Sequence, residues 1–105
     1  MNAEYITVLT TFSKEETGEK IVNLLLAEKL AACIQAFPIN SSYTWKGAVC
    51  KEAETLLFIK TKAAHYEAIE KAIRSVHDYE TPEIIAIPVL NGSQGYLSWI
   101  NEVTK

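Results

Sequence analysis

The stretch ACIQAFPINSSYTWKGAVCKEAETLLFIKT, residues 32–61, reads as two long strands joined at Lys46-Gly47. If the chain turns over there so that Trp45 faces Ala48, then Cys50 lies opposite Tyr43 and Cys33 opposite Lys60. Pro38 cannot donate to a ladder, so the first strand is expected to be bulged, bent or at a sheet edge near it. Each strand runs to about 14 residues, well beyond the usual ~5–6. Part of the hairpin is therefore expected to project past its own sheet and to find its partners on another subunit. Bare edges carrying Ile34, Phe37, Ile39, Tyr43 and Trp45 invite aggregation unless closed symmetry covers them.

Outward from the hairpin, YITVLTTF (Tyr5 to Phe12) reads as a buried strand. SKEE follows, in which the Ser13 hydroxyl and the Glu16 carboxylate form a capping box that opens a helix running to about Leu30. Ile21, Leu24 and Leu25 make its apolar stripe, and Gly18 near the first turn argues against it. A second helix is predicted over 63–76 from Ile69, Ile73 and Val76. PEIIAIPV (Pro82 to Val89) is then the last strand, and Tyr96, Trp99, Ile100 and Val103 stripe a short closing helix. The order βαββαβα fits an α+β, ferredoxin-like sandwich with an added C-terminal helix.

With 105 residues, 49% of them hydrophobic, the chain suits a single domain over residues 1–105. No apolar run approaches the ~20 residues that cross a bilayer, so no membrane role is expected. No leader pattern opens the chain, which points to a cytoplasmic protein. The formal charge of −3 is spread among mixed Lys and Glu, which excludes a basic nucleic-acid surface. The third strand also lacks the aromatic and basic signature of an RNA-recognition module. Cys33 and Cys50 fall on distant rungs and are expected to be free thiols, as a reducing cytosol would leave them. With no strand-to-helix nucleophile elbow and no phosphate-cradling glycine loop, nothing indicates an enzyme.

Two clusters carry chemistry. His77, at the predicted end of the second helix, is either a cap and packing residue or a metal ligand, with Asp78, Glu80 and Glu83 offering oxygen donors. Cys50, flanked by Val49 and Lys51, is a further soft candidate, although packing accounts for it as well. Lys60 and Glu83 on neighbouring strands, with Trp45 and Tyr79 as aromatic walls, are expected to line a cleft between subunits that takes a small polar ligand, or to close the oligomer as an ion pair.

EKLAAC (Glu28 to Cys33), SYTWKG (Ser42 to Gly47), IKT (Ile59 to Thr61), HDYETPEIIAIPV (His77 to Val89) and YLSWI (Tyr96 to Ile100) together resemble the CutA family of divalent-cation tolerance proteins. The resemblance covers nearly the whole chain. It implies a homotrimer in which the long hairpins pair across subunits, a role in tolerance of copper and other divalent metals, and no obligatory cofactor. The family's proposed copper ligands, a cysteine and two adjacent histidines, fall on Thr10, Val76 and His77, so only His77 is kept. At most weak metal binding follows, through His77, Asp78 and Cys50. A second reading, from likeness to trimeric signalling proteins of the PII type, is a small-ligand sensor or scaffold that holds an anionic metabolite between subunits.

Overall fold

The computed structural model describes residues 3–105. Along the chain lie β1 (Tyr5–Phe12), α1 (Glu15–Ala27), β2 (Cys33–Trp45), β3 (Ala48–Lys62), a 3-10 turn (Ala63–His65), α2 (Tyr66–Val76), β4 (Ile84–Pro88) and α3 (Gln94–Val103). All strand pairs are antiparallel, in the order β2-β3-β1-β4, as a ferredoxin-like α+β fold requires.

Cross-strand partners share a sheet face, and faces alternate along each strand. Ile6, Val8 and Thr10 of β1 therefore stand beside Thr61, Ile59 and Leu57 of β3. This side is closed by Ile21 and Leu25 of α1 and Ile69 and Ile73 of α2, all without exposure. On the opposite side Leu9 stands between Phe58 and Ile85, and Phe37 meets Phe58 edge to face at 5.0 Å. Part of that face is open, with Phe37 45% exposed and Ile85 50%, whereas Thr7 on the same face is only 6% exposed, at the end where Tyr96 of α3 lies beside Lys60.

The hairpin has the expected register, with Tyr43 opposite Cys50 and Cys33 opposite Lys60, and both thiols are free. Lys46 (φ 49°) and Gly47 (φ 79°) supply the two positive angles of a type I′ turn, whose twist matches that of the flanking strands. Pro38 pairs in unbroken register with Thr55 on an edge strand, so its missing N–H faces away from the ladder. β1 covers only Thr55 to Lys62 of β3. Residues 39–54 consequently project as a two-stranded ribbon, and the molecule measures 44 × 28 × 22 Å.

Three local expectations change. Lys14, not Ser13, caps α1, and among the described residues no side chain makes a capping bond there; the Ser13 hydroxyl has been drawn away to Tyr79. The second helix starts in earnest at Tyr66, because Ala63 still spends its N–H on the Glu4 carbonyl beside β1 and the next residues wind as a 3-10 turn. The last strand is shorter than residues 82–89, its ladder running only between Thr10↔Ile84 and Ile6↔Pro88. Gly18, which weakened the helix on sequence grounds, is there for space: a Cβ would collide with the Phe12 ring. At the far end α1 closes with a Schellman motif, Leu30 N–H to the Leu25 carbonyl at 3.0 Å and Lys29 N–H to that of Leu26 at 3.1 Å. Lys29 (φ 56°) occupies the left-handed position where glycine is usual.

Candidate functional site

His77 caps α2 with an extended backbone, and its N–H closes the last turn on the Ile73 carbonyl. The side chain is wholly buried. Nε2–H donates to the Thr11 carbonyl at 2.8 Å, and Nδ1 accepts the Tyr79 N–H at 3.1 Å. A carbonyl can only accept and an amide only donate, so the two bonds fix the tautomer and occupy both nitrogens. A metal would have to break one of them.

Asp78 lies just outside, its Oδ1 3.6 Å from His77 Nδ1. Thr17 of α1 donates its hydroxyl to that oxygen at 2.8 Å, and Lys14 stands 3.8 Å from the other. The Thr17 bond is the main reason that its carboxyl is held below the usual carboxylate range. The carboxylate serves the entrance to α1 more directly than it serves a cation.

Tyr79 stacks at a tilt on His77, ring centres 4.6 Å apart, and reaches out to β3. Its hydroxyl donates to Glu54 Oε2 at 2.7 Å and lies 2.9 Å from the Ser13 oxygen. A phenol has one proton; with that given to the carboxylate, Ser13 is the donor of the second bond. Burial, joined by the bond to Glu54, pushes the phenol well up from its ordinary value. Glu54 was not anticipated from the sequence, yet it is only 9% exposed. The available signal was a glutamate at the mouth of the apolar run TLLFI.

Beyond Tyr79 a hollow of about 820 Å³ opens between the ribbon and residues 79–83. Glu52, Glu54, Glu80 and Glu83 supply carboxylates, Tyr43 and Trp45 supply aromatic walls, and no lysine or arginine lines it. Tyr43 donates to Glu52 at 2.7 Å, and this bond is the first cause that pushes its phenol up to about 12. The hollow thus brings together Trp45, Tyr79 and Glu83 of the expected cleft. Lys60 is not among them. It sits near the other end of β3, its ammonium 2.9 Å from the Gln35 oxygen and 5.9 Å from the centre of the Tyr96 ring, beside a smaller cavity of about 240 Å³.

Cys50 is part-buried opposite Tyr43, two rungs from the turn. Among the described residues no three His, Cys, Asp or Glu side chains converge on a point where a cation would sit. Thr10, where the resemblance places a soft ligand, is fully buried on the helix-facing side, and its hydroxyl has no partner. Neither donor chemistry nor geometry fits a copper ion at Thr10 and His77.

The model of the CutA1 divalent ion tolerance protein family matches residues 6–103. The chain belongs to this family. Divalent-cation tolerance protein CutA of Escherichia coli K12 is 39% identical over 95% of this chain and 90% of its own length. The chloroplastic CutA proteins of Arabidopsis thaliana and Oryza sativa are 40% and 38% identical, and this CutA1-family chain spans only 56% and 57% of their lengths. Among solved structures, CutA from Archaeoglobus fulgidus superposes with a TM-score of 0.93 at 33% identity, covering 96% of this chain and 99% of its own. Cut A1 from Thermus thermophilus gives 0.92 at 35%, covering 96% and 99%.

These relatives overturn the cytoplasmic expectation. The Archaeoglobus protein is described as periplasmic and the two plant proteins as chloroplastic, so location varies within the CutA1 family. The physical reason is that an address is read from targeting segments, and the folded domain does not encode it.

Proposed function

We propose that the protein serves divalent-metal tolerance as a homotrimer of single-domain subunits over residues 1–105, by a route that involves no catalytic step and at most weak metal binding. The observation that carries the weak-binding part is the imidazole of His77, whose two nitrogens are already spent on Thr11 and Tyr79. Family membership supports the tolerance role. The trimer is supported by the outer edge of β2, which no strand of its own chain pairs, and by the exposed apolar side chains Phe37 and Ile85 on the sheet face opposite α1 and α2.

Metal contact through His77, Asp78 and Cys50 remains part of the proposal, with the carboxylate the most accessible donor next to the helix. A sensor that holds a small ligand is a separate reading. The only charged side chains that line the hollow within one subunit are four glutamates, which disfavour an anionic metabolite there and favour a cation or a neutral polar molecule.

Copper calorimetry on the parent and on His77→Ala tests the metal part. Weak, unsaturated heats in both are expected; tight stoichiometric binding in the parent that is lost in the variant would show that the buried imidazole opens to take the ion. Light scattering at micromolar concentration tests the assembly, and a single 11.7 kDa species would sink the trimer.

A further inference from the structure

We propose that Tyr79 is the positioning residue that fixes the angle at which the β2–β3 ribbon leaves the sheet, through its hydroxyl bond to Glu54. The ladder between β1 and β3 ends at the pair Phe12↔Thr55. Ser13 and Glu54 are the next residues outward from that pair, and the β1–β3 ladder does not reach them, Glu54 pairing only with Ile39 of β2. Between them stands the Tyr79 hydroxyl, 2.9 Å from Ser13 Oγ and 2.7 Å from Glu54 Oε2. Side chains thus carry the lateral connection one step past the point where the backbone stops.

The tyrosine is anchored firmly enough to act as a strut. Its N–H is held by His77 Nδ1, and His77 is itself held by the Thr11 carbonyl of β1. Asp78, between them, is tied to Thr17 and Lys14 at the start of α1. Within the subunit, only the continuous β2–β3 ladder shares the load with this bond on the ribbon side. The remaining side-chain hydrogen bond of residues 39–54, Tyr43 to Glu52, lies within the ribbon, and among the described residues no ion pair or other side-chain hydrogen bond joins the ribbon to the body.

Leverage makes this one bond consequential. From Glu54 to the turn the ribbon extends roughly 23 Å at the rise of an antiparallel strand, so a swing of about 10° moves its tip by about 4 Å. In the trimer proposed above, and resting on that reading, the strut decides where Trp45 and Val49 meet the neighbouring subunit. Within one subunit it decides the width of the acidic hollow.

The test measures the angle directly. With Cys33→Ser and Cys50→Ser as background, spin labels at Lys46→Cys on the turn and Asn23→Cys on α1 report the tip-to-body distance by pulsed dipolar spectroscopy, with labelled chains diluted into unlabelled ones. Tyr79→Phe, which keeps the ring and its packing, is expected to broaden the distance distribution about twofold or more, because a bond to a charged group is lost. Glu54→Ala should broaden it as much, the double variant no further, and Glu54→Gln, which keeps an acceptor, should leave it narrow. A Tyr79→Phe distribution as narrow as the parent's, or a double variant broader than either single one, would overturn the proposal. Should Glu54→Ala fail to fold, Tyr79→Phe and Glu54→Gln decide by themselves. Light scattering on the same samples reads the oligomer separately, so a monomer removes the trimer reading while the distances still judge the strut.

Discussion

The inner half of the sheet and the projecting ribbon are built from one pair of strands and live under different rules. Between Thr55 and Lys62, β3 has neighbours on both sides and helices across one face, and Leu57 and Ile59 are buried to 1% exposure or less. Past Glu54 the same strand has one neighbour and no layer over it, and Val49 is 74% exposed. A two-stranded ribbon is marginal at best in water. The body encloses its core within one chain, whereas the ribbon is held by its turn, by its own cross-strand pairs and by Tyr79.

The sharpest way to break this comparison is to truncate one branched apolar side chain in each half. Ile59→Ala should cost about 2–5 kcal/mol in denaturant unfolding, because it empties a site without exposure. Val49→Ala should stay within about 0.5 kcal/mol in a dilute monomer. Equal losses at all protein concentrations would erase the distinction; a Val49 loss that grows with concentration would show the ribbon buried by another copy.

A smaller effect of opposite sign tests whether the body is as well satisfied as its packing suggests. Thr10 carries a buried hydroxyl without a partner, in a row otherwise occupied by Ile6 and Val8. Thr10→Val should raise stability by about 1 kcal/mol, since the desolvated hydroxyl disappears while the branched shape is kept. A loss on chemical unfolding would mean that the hydroxyl has a bonding partner in solution.

The smallest effect concerns the seam between the halves. Asp78 is depressed in the folded chain, so its contribution is present above its unfolded value of ~3.9 and is lost as pH falls through the lower folded value. Thr17→Val removes the first cause of that depression. The variant should be less stable than the parent at neutral pH, and the gap should close as the solution is acidified below about pH 4. A gap that persists unchanged in acid would assign the role of Thr17 to packing alone.

Much of this division was legible in the residues. Over-long strands around Lys46-Gly47 gave away both the register and the overhang, because a two-residue turn leaves no freedom in how the strands pair. Ser13 was misread as a cap because its local signal is real but loses to Tyr79, 66 positions away. Lys60 was grouped with Trp45, Tyr79 and Glu83, yet within one chain it lines a different cavity, for a similar reason. Positions 54 and 60 share a face but lie about 20 Å apart along the strand. Only the pairing of β1 with β4 decides which end meets residues 77–83. Compartment was illegible because no packing interaction in this domain depends on it.

The type I′ turn has a last consequence, for the order of events during folding. Lys46 and Gly47 close the shortest loop in the sheet, so the ribbon's pairs form at the least cost in chain entropy. The pairing of β1 with β3 must bring Tyr5 to Lys62 across the intervening chain, and that pairing is slow. The element with the weakest anchorage in the finished subunit is therefore the first to appear, with its edge bare before the body exists. Pulse-labelled hydrogen exchange should find amides of residues 39–54 protected ahead of those of β1; the reverse order would refute this sequence of events. During that interval every nascent chain offers its neighbours the same template, and Lys51, a charge on the exposed ribbon, is placed to discourage the wrong match until the rest of the sheet arrives.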